Sequence, residues 1–329
     1  MTKTNQQKVK DFLINNGVII VMFILVIYTG FTSDNFFTKN NFMNILMNMS
    51  SRLVIALGIA GCVITAGCDL SAGRMIGFGA CISGMLLQRM DYSGKFFPDM
   101  QPLNVFVVAL IAMLVCAAFG TVTGFFIAYL NVPPFIATLA MMEIVYGIGL
   151  IVTNATPLGG YVEQYTNVSN GKFLGINYLI WIAIIVAAIT WFIFNMTRHG
   201  KYMYAIGGKP QAAEVAGVPV KATLILIYMK AAAMYGLAGF MLGAKAGGAS
   251  VQTGYGYEME AIAACTIGGV SVTGGRGKVS SAIIGVAVFE LLKVALQYLG
   301  MNANAQYIAI GVVIFIAISL DIRKYIARK

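Results

Sequence analysis

Long, unbroken apolar runs constrain this chain more than any other feature. They lie at 17–31, 53–67, 75–87, 104–130, 136–152, 176–194, 223–243, 259–272, 279–299 and 307–320. Hydrophobic residues make up 59% of the chain and charged residues 10%, where soluble domains carry about 25%. A soluble fold has no means of hiding that much apolar surface, whereas a bilayer accepts it. Membrane β-strands alternate apolar and polar positions, and these runs do not alternate. The expected fold class is an all-α membrane protein of about ten transmembrane helices, some short or broken. All of it, residues 1–329, is expected to form a single transmembrane domain.

Lys3, Lys8 and Lys10 precede the first run, but the following Phe31-Thr32-Ser33-Asp34-Asn35 offers no small-x-small cleavage site. The run therefore reads as an uncleaved first span. Asn40-Asn41 is placed to cap a short helix whose Phe42, Ile45, Leu46 and Met49 share one stripe, as in an interfacial helix. Assigning loops to alternate sides puts 14 Lys and Arg residues on one side: Lys3, Lys8, Lys10, Arg74, Arg198, Lys201, Lys209, Lys221, Arg276, Lys278, Arg323, Lys324, Arg328 and Lys329. The other side has 6: Lys39, Arg52, Arg89, Lys95, Lys172 and Lys245. By the positive-inside rule both termini are cytoplasmic. The net charge of +10 then faces anionic membrane lipid and the cytosol, and calls for no nucleic acid.

Runs 53–67 and 75–87 are short against the roughly 20 residues of a perpendicular span, and 259–272 ends at a Gly-rich break. Segments 61–67 and 268–274 are faintly alike. Paired, Gly-interrupted short segments in two halves of a transporter point to broken helices lining its pathway. On that reading Asp69, Ser71, Arg74, Gly274 and Gly275 are candidate pathway residues. The competing reading is ordinary turns between tilted spans, with Asp69 capping a helix. Four ionisable residues fall inside runs: Glu143, Lys230, Glu290 and Lys293. Glu290 and Lys293, at i and i+3, are spaced to pair, and Glu143 is able to pair with Lys230 between helices. A proton or ion relay is the alternative. Cys62, Cys68, Cys81, Cys116 and Cys265 sit in or at the edge of apolar runs and read as small hydrophobes. The single histidine, His199, has no Cys or carboxylate beside it in sequence, so neither a metal nor a cofactor is expected.

The longest loop, 195–222, contains Lys209-Pro210-Gln211-Ala212-Ala213-Glu214 and then Gly217. Proline suits a first helical position and glycine the position just past a helix end, which predicts a two-turn helix over 210–216. So short a helix is marginal alone in water and needs a surface to dock on. Five Gly-Lys pairs occur, but Phe, Phe, Tyr, Pro and Val follow them, so none completes the G-x-x-x-x-G-K-[ST] nucleotide loop.

These residues carry a family resemblance. Thr197-Arg198-His199-Gly200-Lys201 with Ala205-Ile206-Gly207-Gly208-Lys209-Pro210-Gln211-Ala212-Ala213 resembles the ATPase-coupling loop of sugar-type ABC importer permeases. The resemblance is to the ribose, xylose and galactoside group. The segment from Ala66 to Arg74, Asn131-Val132-Pro133-Pro134-Phe135, and Gly268-Gly269-Val270 with Gly274-Gly275 look like further landmarks of that group. Leu87-Gln88-Arg89-Met90-Asp91, the stretch from Tyr257 to Cys265, and the basic tail after Asp321 are most similar to its galactose/methyl-galactoside members. Arg276-Gly277-Lys278 departs from the pattern, where a small residue, Gly and Thr are usual. The resemblance implies ATPase coupling through Lys209, Pro210, Gln211, Ala212, Ala213, Glu214 and Gly217. It also implies a separate ABC ATPase subunit, a periplasmic or extracellular sugar-binding protein and a second copy of this chain. It implies a non-enzymatic permease of the inner membrane. An ion-coupled secondary transporter using the buried charges is one rival. An intramembrane enzyme is another, and the lone His199 argues against it.

Overall fold

The computed structural model describes residues 20, 22–33 and 35–326. Lys3, Lys8, Lys10, Asp34, Arg328 and Lys329 lie outside the described residues, as do the side chains of Arg323 and Lys324. The described chain is helical apart from one two-stranded hairpin. After α1 (Met22–Thr32) come α2 (Lys39–Ile64), α3 (Ala72–Leu86), α4 (Val105–Tyr129), α5 (Pro134–Thr153) and α6 (Glu163–Asn170). Strands β1 (Lys172–Phe173) and β2 (Ile176–Asn177) follow, then α7 (Tyr178–Met196), α8 (Arg198–Gly208), α9 (Pro210–Val215) and α10 (Val220–Ala246). The chain closes with α11 (Tyr257–Gly268), α12 (Val279–Tyr298) and α13 (Ala303–Ile326). Among the described residues, 6 helices are long and apolar enough to cross a membrane: α2, α4, α5, α7, α10 and α12. Helices α1, α3 and the 304–316 part of α13 are shorter apolar segments.

Several expectations change. The interfacial helix and the short run 53–67 are one helix, α2, of 26 residues. At 1.5 Å per residue it reaches about 39 Å, enough to cross a core of about 30 Å. Its cap is Thr38, which accepts from the Asn41 N–H at 3.3 Å, rather than Asn40-Asn41. Asn41 is buried and donates to the Phe36 carbonyl at 2.7 Å. Arg52 consequently lies within α2 and does not count as a loop cation. The 195–222 loop is mostly helical, and α8, α6 and the hairpin were not anticipated.

Elsewhere local chemistry explains the boundaries. Asn104 and Asn177 cap α4 and α7 by accepting from Phe106 N at 2.9 Å and Leu179 N at 2.8 Å. Pro134 opens α5, and Gly247 at φ +65° ends α10. The core lies around α10, which packs against α4, α3 and α2. Small residues let the backbones approach: a Cβ at Gly124 would lie 2.7 Å from Ile225 Cα, and one at Gly120 would strike the Tyr228 carbonyl. Close approach at small residues is how helices associate where the surroundings are as apolar as the side chains. Outward faces of α4, α5 and α7 carry Phe106, Phe126, Ile151, Ile185 and Phe192, all exposed, as a hydrocarbon-facing surface requires.

Candidate functional site

Helices α8 and α9 form a bracket at one end of the bundle. Thr197 opens α8 by accepting from Gly200 N at 3.3 Å, and Met203 and Ile206 bury its inner face. His199, on α8, is half-buried; burial, then the nearby Lys230 charge, pushes its pKa down to about 4, so it is neutral at physiological pH. Helix α9 begins at Pro210 and stops where Gly217 takes φ +81°, as the punctuation predicts. Lys209, Pro210, Gln211, Ala212, Glu214 and Gly217 are exposed and Ala213 is buried. Val215, an apolar side chain, is 91% exposed.

The bracket is joined to the bundle at a three-way glycine contact. Gly275 N donates to the Ile64 carbonyl, the last residue of α2, at 2.8 Å. A Cβ at Gly274 would lie 2.6 Å from the Gly207 carbonyl, and one at Gly207 would strike Ile64 O. Gly274 and Gly275 both have positive φ, +84° and +71°, which glycine adopts without penalty. Tyr204 adds a hydrogen bond to the Gly277 carbonyl at 2.8 Å. The end of α2, the 269–278 loop and α8 are therefore packed backbone to backbone.

Asp69, Ser71 and Arg74 lie elsewhere. Asp69 is buried; its Oδ1 accepts from Ser71 N at 3.0 Å and Ser71 Oγ at 2.6 Å, and its Oδ2 accepts from Tyr235 OH at 3.2 Å. Tyr235 is near the middle of α10, so α3 starts at mid-depth and spans only half of the bundle. Asp69 satisfies the open N–H end of that half-helix. The segment 247–256 runs back along α3: a Cβ at Gly77 would meet the Val251 and Thr253 carbonyls at 2.7 and 2.9 Å. It delivers the start of α11 beside Gly73, where Glu258 lies against α3. Two short helices, α3 and α11, thus meet at their N-termini inside the bundle, the arrangement of broken helices. Arg74 is held there between two rings, its Cζ 3.9 Å from the Tyr146 centroid and 4.5 Å from that of Tyr255. Its Nη1 donates to Gln252 Oε1 at 2.8 Å.

The charges inside the helices pair differently from the i, i+3 expectation. Lys293 binds Glu260 of α11 at 2.8 Å, and Glu290 binds Arg52 of α2 at 3.0 Å. Arg52 also pairs with Glu260 and lies 4.8 Å from the Tyr257 ring centroid. Two cations and two carboxylates thereby close a neutral network across three helices. Glu143 and Lys230 form no ion pair with each other among the described residues. Glu143 is exposed midway along α5, where a charge facing lipid costs about 2.5–3.5 kcal/mol. Among the described residues no three His, Cys, Asp or Glu side chains are grouped to hold a metal ion.

Comparison with known proteins adds a lineage to this geometry. The family model described as branched-chain amino acid transport system / permease component matches residues 41–318. The chain is 39% identical to the galactose/methyl galactoside import permease protein MglC of Escherichia coli, over 100% of both chains. It is 40% identical to MglC of Haemophilus influenzae, again over 100% of both. The ribose import permease protein RbsC of Escherichia coli is 32% identical over 96% of each chain. No solved structure matches.

Proposed function

The chain belongs to the branched-chain amino acid transport system permease family, and we infer that it is the membrane subunit of an ATP-driven importer of a monosaccharide. Galactose and methyl galactoside are the substrates this reading favours. The observation that carries it is the full-length similarity to galactose/methyl galactoside permeases, at 39–40% identity. The exposed α9 helix, on a chain with no nucleotide loop, agrees with it. ATP is hydrolysed by a separate ABC ATPase subunit that docks on Lys209, Pro210, Gln211, Ala212, Ala213, Glu214 and Gly217. An external sugar-binding protein delivers the sugar on the opposite face, a second copy of this chain completes the permease, and the chain itself performs no covalent chemistry.

The three-way contact of Gly207, Gly274, Gly275 and Ile64 passes movement of α8 and α9 into α2 and α11. The half-helices α3 and α11, with Asp69, Ser71 and Arg74 at or near their meeting point, are the elements that this movement rearranges. The six long helices, α1, α13, and the half-helices α3 and α11 each taken with the extended segment before it, supply ten crossings of the inner membrane in one transmembrane domain, with both termini cytoplasmic. Ribose is the second reading, supported by the 32% identity to RbsC. Uptake of labelled galactose by cells that express the chain with its ATPase and binding protein tests the choice. Unlabelled methyl galactoside is expected to compete and ribose is not; competition by ribose alone would overturn the galactoside assignment.

A further inference from the structure

The polar groups around Arg74 contact one another and also border open space. Gln252 is exposed, and its Nε2 donates to Tyr146 OH at 3.0 Å. Tyr255 is 62% exposed. On α5, Glu143 lies one turn before Tyr146 and is exposed; at Gly147, one turn after Glu143, a Cβ would meet nothing within 4 Å. Two buried polar atoms, Arg74 Nε and Glu258 Oε2, have no hydrogen-bond partner among the described residues. This patch lies at the depth where α3 and α11 begin, between apolar outer surfaces. Its exposed carboxylate and amide call for water or a polar solute, not hydrocarbon.

The electrostatics narrow the solute. A helix N-terminus attracts anions, and two meet here. Each already has its own carboxylate: Asp69 bound to Ser71 at α3, and Glu258 in the first turn of α11. Glu143 adds a further negative charge, and the Arg74 cation is spread over two aromatic rings. A carboxylated or phosphorylated solute is therefore disfavoured and a neutral one is favoured. An exposed tyrosine face with an amide, a guanidinium and a carboxylate around it matches a pyranose, which presents an apolar C–H face and a rim of hydroxyls.

We propose that Tyr255, Gln252, Arg74 and Glu143 form a sugar-contacting station at mid-depth in the permease, with Tyr146 fixing the Arg74 plane. The assignment rests on the sugar-import reading above. The test uses the complete complex, permease with ATPase and binding protein, in vesicles. Gln252→Ala and Tyr255→Ala are expected to lower galactose import per ATP hydrolysed by at least about tenfold. Membrane abundance should stay near wild type, and Tyr255→Phe, which keeps the ring, should retain more import than Tyr255→Ala. Gln252→Cys, scored by labelling alone, should react with a membrane-impermeant thiol reagent. Alanine variants that import like wild type, or an introduced thiol that the aqueous reagent never reaches, would overturn the station alone. A wild-type complex that imports no sugar would overturn the import reading and the station with it.

Discussion

Replacing Arg52 by Met is expected to remove most of the folded chain from the membrane. Arg52 reaches both Glu260 and Glu290, the latter at 3.0 Å, and Glu290 is only 3% exposed. Without the guanidinium, Glu290 is left buried without its partner, and Lys293 alone faces Glu260. Breaking a buried pair from one side costs about 3–5 kcal/mol, comparable to the whole stability margin of many domains. The double variant Arg52→Met with Glu290→Met removes one charge of each sign and leaves the 2.8 Å Lys293–Glu260 pair intact. It should recover much of the loss. Abundance in the membrane and the thermal midpoint of purified protein measure both variants. A single variant as abundant as wild type would contradict the structural role. A double variant that folds normally yet carries no sugar would instead favour ion coupling through these charges.

Substituting Val215 by Asp is expected to act in the opposite way, with abundance retained and transport lost. Val215 is 91% exposed at the end of α9, so the fold gains nothing from it. On the docking reading, the same side chain is desolvated in the ATPase, where an unpaired carboxylate is costly. Import should fall by at least about tenfold, equivalent to 1.4 kcal/mol of docking energy. The ATPase should co-purify with the permease less efficiently. Transport at the wild-type rate would place the ATPase contact elsewhere.

Helix α9 was legible because its signals are local: Pro210 opens it and Gly217 closes it within eight residues of chain. The apolar runs likewise located every long helix, since bilayer burial is written as continuous hydrophobicity. The charge network was not legible. Arg52 and Glu260 are 208 positions apart, and a spacing rule applied to Glu290 and Lys293 chose the neighbour in sequence over the partner in space. The meeting of α3 with α11 was half visible, as two short Gly-interrupted segments. What escaped was that 247–256 folds back to bring Gln252 and Tyr255 to Arg74. An uncharged, Gly- and Tyr-containing stretch between apolar runs was the available signal. Run 53–67 was misread as short because the polar residues before it, Asn48, Ser50, Ser51 and Arg52, look like a loop. Within α2 they face Lys245, Glu260 and Glu290 or are buried, so tertiary contacts supply what lipid would not.

On the proposed function, a monosaccharide passes inward through this chain at the expense of ATP hydrolysed by a partner subunit. Galactose accumulation in vesicles reconstituted with the chain, its ATPase and its sugar-binding protein tests it directly. Accumulation that requires ATP on the α9 side and binding protein on the other, and persists after ion gradients are collapsed, is the predicted result. Accumulation that needs an ion gradient and proceeds without ATP would contradict the account.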